Sequence, residues 1–367
     1  MKKYEEFTVD QTAIAGVQKL LAKEILHALQ PVLRGAQLFT KDETLVGSAG
    51  KTKYFRTETD ITGITTFGDG APLPDVVTAT QGGIDIEPLN LGGKETITAD
   101  AIDYGDYNVI NDVKELLAQA MARAKDTKYF QAIAGETTVT DEAVGNSVAG
   151  TQWYQLDHGH DVATDEAILS MTSVTLAGVA QTFGVDYQVD FYKGWIYFTS
   201  DPGDAKAIVA SYKYADGRQV LDAYTAASAS YQDLVAGKST VVSAYGNPDV
   251  AVLNQNEVAD LLADDKFLAA ASSQSGERAI LNGEISKAAG LSILETQVMY
   301  EGVIAVLKKG SIGYDCYKER LSSELEKVAG TKGSLYAKIW EKSAPGVTRP
   351  SLIALVFNCH RFAKKKV

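Results

Sequence analysis

The chain has 367 residues, 45% of them hydrophobic and 22% charged, the balance of a globular protein long enough for two or three domains. A formal net charge of −12 argues against a dedicated nucleic-acid binder, whose phosphate affinity needs clustered Lys and Arg. No apolar run approaches the length of a membrane span, and the polar stretch Met1–Phe7 predicts no secretory signal.

The first predicted element is an amphipathic helix over about Thr12–Leu29. Ile14, Val17, Leu20, Leu21, Ile25 and Leu29 form its apolar stripe, and Pro31 stops it. Such a helix packs on its own core or on a neighbouring subunit, and periodicity does not choose between them. From Val46 to Tyr107 short β-prone runs (Thr52–Thr57, Ile84–Ile86, Glu95–Ala99) are separated by glycines such as Gly63, Gly68, Gly82 and Gly92, with Pro72 and Pro74 adding turns. About 60 residues with so little apolar mass cannot bury a core of their own. They read as a long two-stranded excursion lying on another chain.

Asn108–Gly135 reads as one long amphipathic helix, roughly 40 Å at 1.5 Å per residue. Ile110, Val113, Leu116, Leu117, Ala120, Met121 and Ala124 recur at spacings of three and four on one face. Lys114, Glu115, Gln119, Arg123, Lys125 and Asp126 fall mostly on the other. Asn108 or Asn111 can cap its start, and Gly135 can close its end in the left-handed conformation.

Thr137–Asp216 is strand-like, with Val174–Leu176, Tyr187–Phe191, Trp195–Thr199 and Ala207–Tyr214 rich in Val, Tyr, Phe and Trp. Tyr192-Lys193-Gly194 predicts a tight hairpin turn and Asp201-Pro202-Gly203-Asp204 another turn. The stretch reads as an inserted all-β module. Beyond Arg218 helices and strands mix: a helix over Thr225–Ala236, a buried strand Val250–Leu253, and a helix capped by Asn254 or Asn256 and running to about Ala271. A helical turn over Glu284–Ala289 precedes strands Ser292–Glu295, Val303–Leu307 and Ser311–Tyr317. Leu321, Leu325 and Val328 predict a helix over Lys318–Val328, followed by strands Leu335–Trp340 and Leu352–Phe357 with Pro345, Gly346 and Pro350 between them. Lys364-Lys365-Lys366 reads as a solvated basic tail.

Motifs for chemistry are incomplete. Leu45-Val46-Gly47-Ser48-Ala49-Gly50-Lys51-Thr52 ends like a phosphate-binding loop, but Leu45 stands where the first Gly belongs and a strand follows where a helix is needed. His158 and His160 in Asp157-His158-Gly159-His160-Asp161 would share a face on an extended strand, yet a third metal ligand is not visible nearby. Asp100, Asp103 and Asp106 lack the alternation, Gly and terminal Glu of a Ca²⁺ loop and read as negative charge near a helix start. Ser311 lacks the flanking pattern of a nucleophile elbow, and His27 and His360 have no acid partner in sequence. Cys316 and Cys359 have no metal-type spacing and read as reduced thiols. No catalytic, cofactor-binding or metal-ligating residue is assigned, and no enzyme activity is expected.

Taken together, the order of parts resembles the major capsid proteins of tailed double-stranded DNA viruses, the HK97-like family. An arm, a Gly-rich loop at about 46–100 and a long helix come in that family's order. Asp249–Leu262, Ala279–Ile285, Ala289–Thr296, Ala305–Tyr314 and Arg349–Leu355 are similar to its axial-domain strand and helix, small loop, late hairpin and closing strand. The resemblance implies an α+β fold divided as N-terminal arm and helix (1–45), extended loop and entry to a peripheral domain (46–107), spine helix (108–136), inserted β-rich domain (137–216), axial domain (217–302), and axial or peripheral strands with the C-terminus (303–367). It also implies pentamers and hexamers of an icosahedral shell around non-specifically bound DNA in a virion, assembled in host cytoplasm. Scaffold, portal and decoration proteins are further partners, and no membrane or cofactor is involved. Some members crosslink through Lys and Asn, a role to which Lys94 does not align. An encapsulin-like compartment of the same fold and a β-rich surface adhesin are the rival readings, with a hydrolase a third.

Overall fold

A computed structural model describes residues 33–57, 82–98, 109–162, 165–225, 227–244, 246–264, 287–328 and 334–366. The expected Thr12–Leu29 helix, residues 58–81, His27, Asn108, Asp100, Asp103, Asp106 and Ala279–Ile285 lie outside the described residues. The chain divides into two compact units, 1–128 with 314–346, and 129–313 with 347–367.

In the first unit, β1 (Thr40–Asp42), β4 (Leu89–Ile97), β17 (Gly313–Lys327) and β18 (Leu335–Val347) make one sheet in the order β1-β17-β18-β4. β2 (Lys53–Thr57) and β3 (Gly82–Ile86) form a separate antiparallel pair, with Lys53 opposite Ile86 and Thr57 opposite Gly82. Helix α1 (Val109–Ala134) starts in this unit and has 26 residues, about 39 Å at 1.5 Å per residue. Val113, Ala118, Met121 and Ala122 are buried with Ala337 and Ile339 of β18 and Ile97 of β4. Half-buried Leu91, Leu117, Leu321 and Leu325 extend the same contact, so the helix lies across the strands that close the sheet.

Several expectations change here. Leu116 is 64% exposed; the buried stripe instead steps by four through Val113, half-buried Leu117, Met121 and Lys125, with Ala118, Ala122 and Asp126 beside it. Lys318–Val328 lies in strand β17 rather than a helix. A spacing of four is even, so Leu321 and Leu325 share a face in a strand as well as in a helix, and the sheet decides between them. β18 runs straight through Pro345 and Gly346, beyond its last pair with β4 at Ser343–Leu89, where a missing N–H costs no ladder bond to that neighbour. Leu89–Ile97 is not part of a free excursion but a full partner of β18.

In the second unit the last turn of α1 is closed tightly. Gly135 has φ +66°, and a side chain there would meet the Asp216 carbonyl oxygen at 2.4 Å. The Arg218 guanidinium donates to the carbonyls of Ile133 (2.8 Å) and Ala132 (2.8 Å), two groups that a helix end leaves unpaired. Burial pushes Arg218 down to about 10.

After that turn come β5 (Glu136–Asn146), β7 (Ala167–Leu176), β8 (Val179–Ala180) and β11 (Ala207–Ala215), ordered β5-β11-β7-β8. β6 (Trp153–Gln155), β9 (Tyr187–Asp190) and β10 (Trp195–Phe198) form a second sheet, ordered β6-β10-β9. The expected hairpin is present: β9 and β10 pair with Asp190 opposite Trp195, and Gly194 has φ +75° in the turn.

The third sheet of this unit orders β12 (Gln219–Asp222), β19 (Ile353–Phe357), β16 (Ile304–Leu307), β13 (Val250–Leu253), β15 (Leu291–Glu295) and β14 (Lys287–Ala288). Every residue of β13, β16 and β19 is buried, so these central strands read as continuous apolar runs rather than alternations. Leu234 of α2 (Tyr231–Ser243) and Leu261 of α3 (Gln255–Ala263) complete that core.

α2 begins at Tyr231 rather than Thr225 because Ser230 and Asp233 form a capping box. α3 is capped by Asn254, whose side chain accepts from the Asn256 N–H, and it ends at Ala263, short of the expected Ala271. Lys287–Ala288 is a short strand and not a helical turn. The Lys364–Lys366 tail is not solvated; it lies half-buried along β9.

Because α1 is continuous through Ala120, Ala120→Pro removes a helix hydrogen bond and clashes with the preceding turn. It should lower unfolding stability by ~3 kcal/mol or more, measured by urea denaturation followed by circular dichroism; an unchanged midpoint would contradict this packing.

Candidate functional site

The root of the β2–β3 hairpin is held by side chains from several parts of the first unit. Lys53 of β2 bonds the Asp42 carboxylate and the Thr44 hydroxyl. From β17, the Lys318 ammonium donates to the carbonyls of Ser48 and Gly50, and Arg320 pairs with Glu43 at 2.7 Å. Phe55 stacks on Tyr314, with ring centroids 4.5 Å apart and planes 15° apart. Gly346 gives Ile86 of β3 room, since a side chain there would meet it at 2.1 Å. Burial alone would raise the Asp42 carboxyl, but hydrogen bonds from Lys53 and Thr44 outweigh it and hold the group below the usual range. Lys41 and then Arg320 do the same for half-buried Glu43. Two short strands are thereby pinned at their base, with residues 58–81 connecting their far ends.

A second fastening lies under α1. Lys125 and Asp126, expected on the solvent face, are only 5% and 4% exposed. The Lys125 ammonium sits 2.6 Å from Glu341 Oε1 of β18 and 5.0 Å from the Tyr317 ring centroid. Asp126 accepts the N–H of Gly35 at 2.9 Å and of Arg34 at 3.1 Å, at the start of the short 3₁₀ helix Gly35–Leu38. Burial raises the Asp126 carboxyl, and those backbone donors act against that rise. The helix thus fixes both the sheet and the chain entering it. Periodicity carried the signal: Lys125 is the next step of four after Met121, and its polarity concealed it.

The residues singled out for chemistry are placed as follows. Lys51 and Thr52 precede strand β2, not a helix. His158 stacks on Tyr214 at 3.9 Å with Nδ1 3.1 Å from Glu166 Oε2, whereas His160 tilts over Tyr192 at 4.5 Å. Each histidine has its own partners, and Gly159 between them lets the loop approach the Lys193–Gly194 backbone, where a side chain would meet Lys193 O at 2.4 Å. Among the described residues no group of three or more His, Cys, Asp or Glu is placed to hold a metal ion. His360 does have an acid near it, Glu301 at 3.7 Å, and burial lowers its pKa. Ser311 lies in the turn before β17. Cys316 and Cys359 are free and buried, and burial pushes the Cys316 thiol up to about 12. No helix among the described residues is long and apolar enough to cross a membrane.

The sequence matches no protein-family model and no curated protein. The structure is similar to a chain of Mycobacterium phage Che8 with a TM-score of 0.51 at 11% identity, covering 88% of this chain and 90% of that one. The fold is HK97-like. Lower scores relate it to the capsid of a native GTA particle (0.49, 12% identity, 90% and 91% covered) and to a virus-like particle from Pyrococcus furiosus (0.46, 10% identity, 93% and 99% covered). With this HK97-like fold, the fastened features are a long helix on a sheet and a hairpin rooted beside that sheet.

Removing one member of a buried ion pair strands the other. Lys125→Met should therefore destabilise the chain by about 3–5 kcal/mol, while Lys125→Met with Glu341→Leu should recover most of that loss. Chemical denaturation of the two single variants and the double variant measures this; additive losses would contradict a coupled pair.

Proposed function

We propose that this chain is the major capsid protein of a tailed double-stranded DNA virus and self-assembles into the icosahedral head. The single observation that carries this reading is the HK97-like fold, matched over nearly the whole length of a phage chain. The pinned root of β2–β3 supports it further. A hairpin fixed firmly at its base is suited to lie on a neighbouring subunit and to absorb the difference between pentamer and hexamer contacts.

In this reading 1–45 is the arm and helix, 46–107 the extended loop and entry to the peripheral domain, 108–136 the spine helix, 137–216 an inserted β-rich domain, 217–302 the axial domain and 303–367 axial or peripheral strands with the C-terminus. The role is structural rather than enzymatic. DNA is held without sequence preference, and the net charge of −12 keeps it from adhering to its container. Assembly occurs in the host cytoplasm, with scaffold, portal and decoration proteins as the expected partners.

Sedimentation velocity and electron microscopy of the purified recombinant protein test this, with and without proteins encoded beside it. Closed shells are expected, and replacing residues 58–81 by a short Gly-Ser turn should leave a folded chain that forms none. Monodisperse monomers of the unaltered chain under all these conditions would overturn the proposal. Shells from infected cells that carry an enzyme and no DNA would instead favour an encapsulin-like compartment.

A further inference from the structure

The C-terminal tail lies extended against a sheet edge, joined to it by a β-bridge at Ala363. β9 is the edge of the β6-β10-β9 sheet, a row of backbone groups open to another strand. Ala363 bridges Val189 in parallel, the Lys364 N–H donates to the Val189 carbonyl at 3.0 Å, and the Lys366 N–H donates to Asp190 Oδ2 at 2.7 Å. Lys193 of the hairpin turn reaches back to the Lys366 carbonyl at 2.7 Å.

Alternation then sorts the side chains. The Lys364 ammonium lies 3.1 Å from the Tyr197 ring centroid and 5.9 Å from that of Trp153, and the Lys366 ammonium lies over the ring of Trp195. Lys365 points the other way, to Asp222 Oδ2 at 2.9 Å and to the Ala223 carbonyl. Aromatic faces attract cations through their ring quadrupoles, so one face of the edge selects ammonium groups at alternate positions and the other supplies a carboxylate. The segment leading into the tail is anchored as well: Asn358, fully buried with φ +66°, donates to Asp190 at 2.9 Å and to Asp222 at 2.8 Å, and accepts the Phe191 N–H at 2.7 Å.

We infer that the edge of β9, with the rings of Trp153, Tyr197 and Trp195, is a strand-addition site for lysine-rich extended peptide, occupied in cis by Ala363–Lys366. The tail ties the β6-β10-β9 sheet to β19, which ends at Phe357, by a fastening that salt loosens. The main-chain bond of Lys364 to Val189, with the Asp190 and Lys193 side chains on the Lys366 backbone, sets the register, and the alternating lysines give the specificity.

The test uses the full chain, a variant ending at Phe362, and a fluorescent synthetic peptide with the sequence of residues 362–367, followed by anisotropy. The shortened chain should bind the peptide, more weakly as salt rises, and at least tenfold more weakly when Gln replaces the lysines corresponding to Lys364 and Lys366. The full chain, its site filled, should not bind. No binding to a shortened chain that keeps its circular dichroism and melting temperature would overturn the inference. Equal binding to the full chain would overturn occupancy in cis. Should the shortened chain fail to fold, hydrogen exchange on full-length Lys364→Gln, Lys366→Gln decides: the 364 and 366 amides should exchange at least tenfold faster than in the parent, and unchanged exchange would overturn the site.

Discussion

The first unit depends on the burial of one helical stripe against strands that arrive some two hundred residues later in the chain. Met121, Ala118 and Ala122 pack against Ile339 of β18 and half-buried Leu321 and Leu325 of β17, with Leu91 of β4 beside them. Apolar burial at roughly 25 cal/mol per Å² is non-directional, so it can hold the helix to the sheet without fixing its register. The Lys125–Glu341 pair supplies direction, because a buried charge tolerates little displacement from its partner. Asp126 then takes two backbone donors at 34 and 35, and the entering chain is fixed to the same helix. β1 lies parallel to β17, and the lysine and arginine of β17 that hold residues 43–50 sit on that same strand. The hairpin root is therefore built on the sheet that the helix organises.

The second unit solves a different problem. Its six-stranded sheet hides β13, β16 and β19 completely, while the β5–β11 stretch makes its own two sheets with half-exposed faces. Gly135 and Arg218 end α1 at the start of that stretch, and Asn358 with the lysine tail closes over its hairpin. Both closures use polar groups at points where chain segments far apart in sequence meet.

Much of this was legible in the sequence. The long helix is found within a residue of its ends, because a 3.6 period and a terminal Gly are local signals. Val250–Leu253 and the β9–β10 hairpin were equally plain. What failed was decided by distant partners. Leu321 and Leu325 fit either a helix or a strand, and only pairing with β18 selects the strand. Lys125 and Asp126 read as surface charges because their counter-groups lie far away in sequence. The lysine tail differs from its sequence reading for the same reason, since the Ala223 carbonyl and the Asp190 carboxylate that hold it are 142 and 176 residues distant. The HK97-like fold was legible only from the order of parts, as no single segment carries a distinctive motif.

In the proposed shell, the helix-on-sheet platform holds the root of a hairpin that lies on a neighbouring subunit. Hydrogen exchange on the free chain and on the purified assembled particle tests it most directly. Amides of Lys53–Thr57 and Gly82–Ile86 should exchange far more slowly in the particle, while those of Met121–Lys125 in α1 should be equally protected in both. Equal protection of the hairpin in the free chain and in the particle would contradict it.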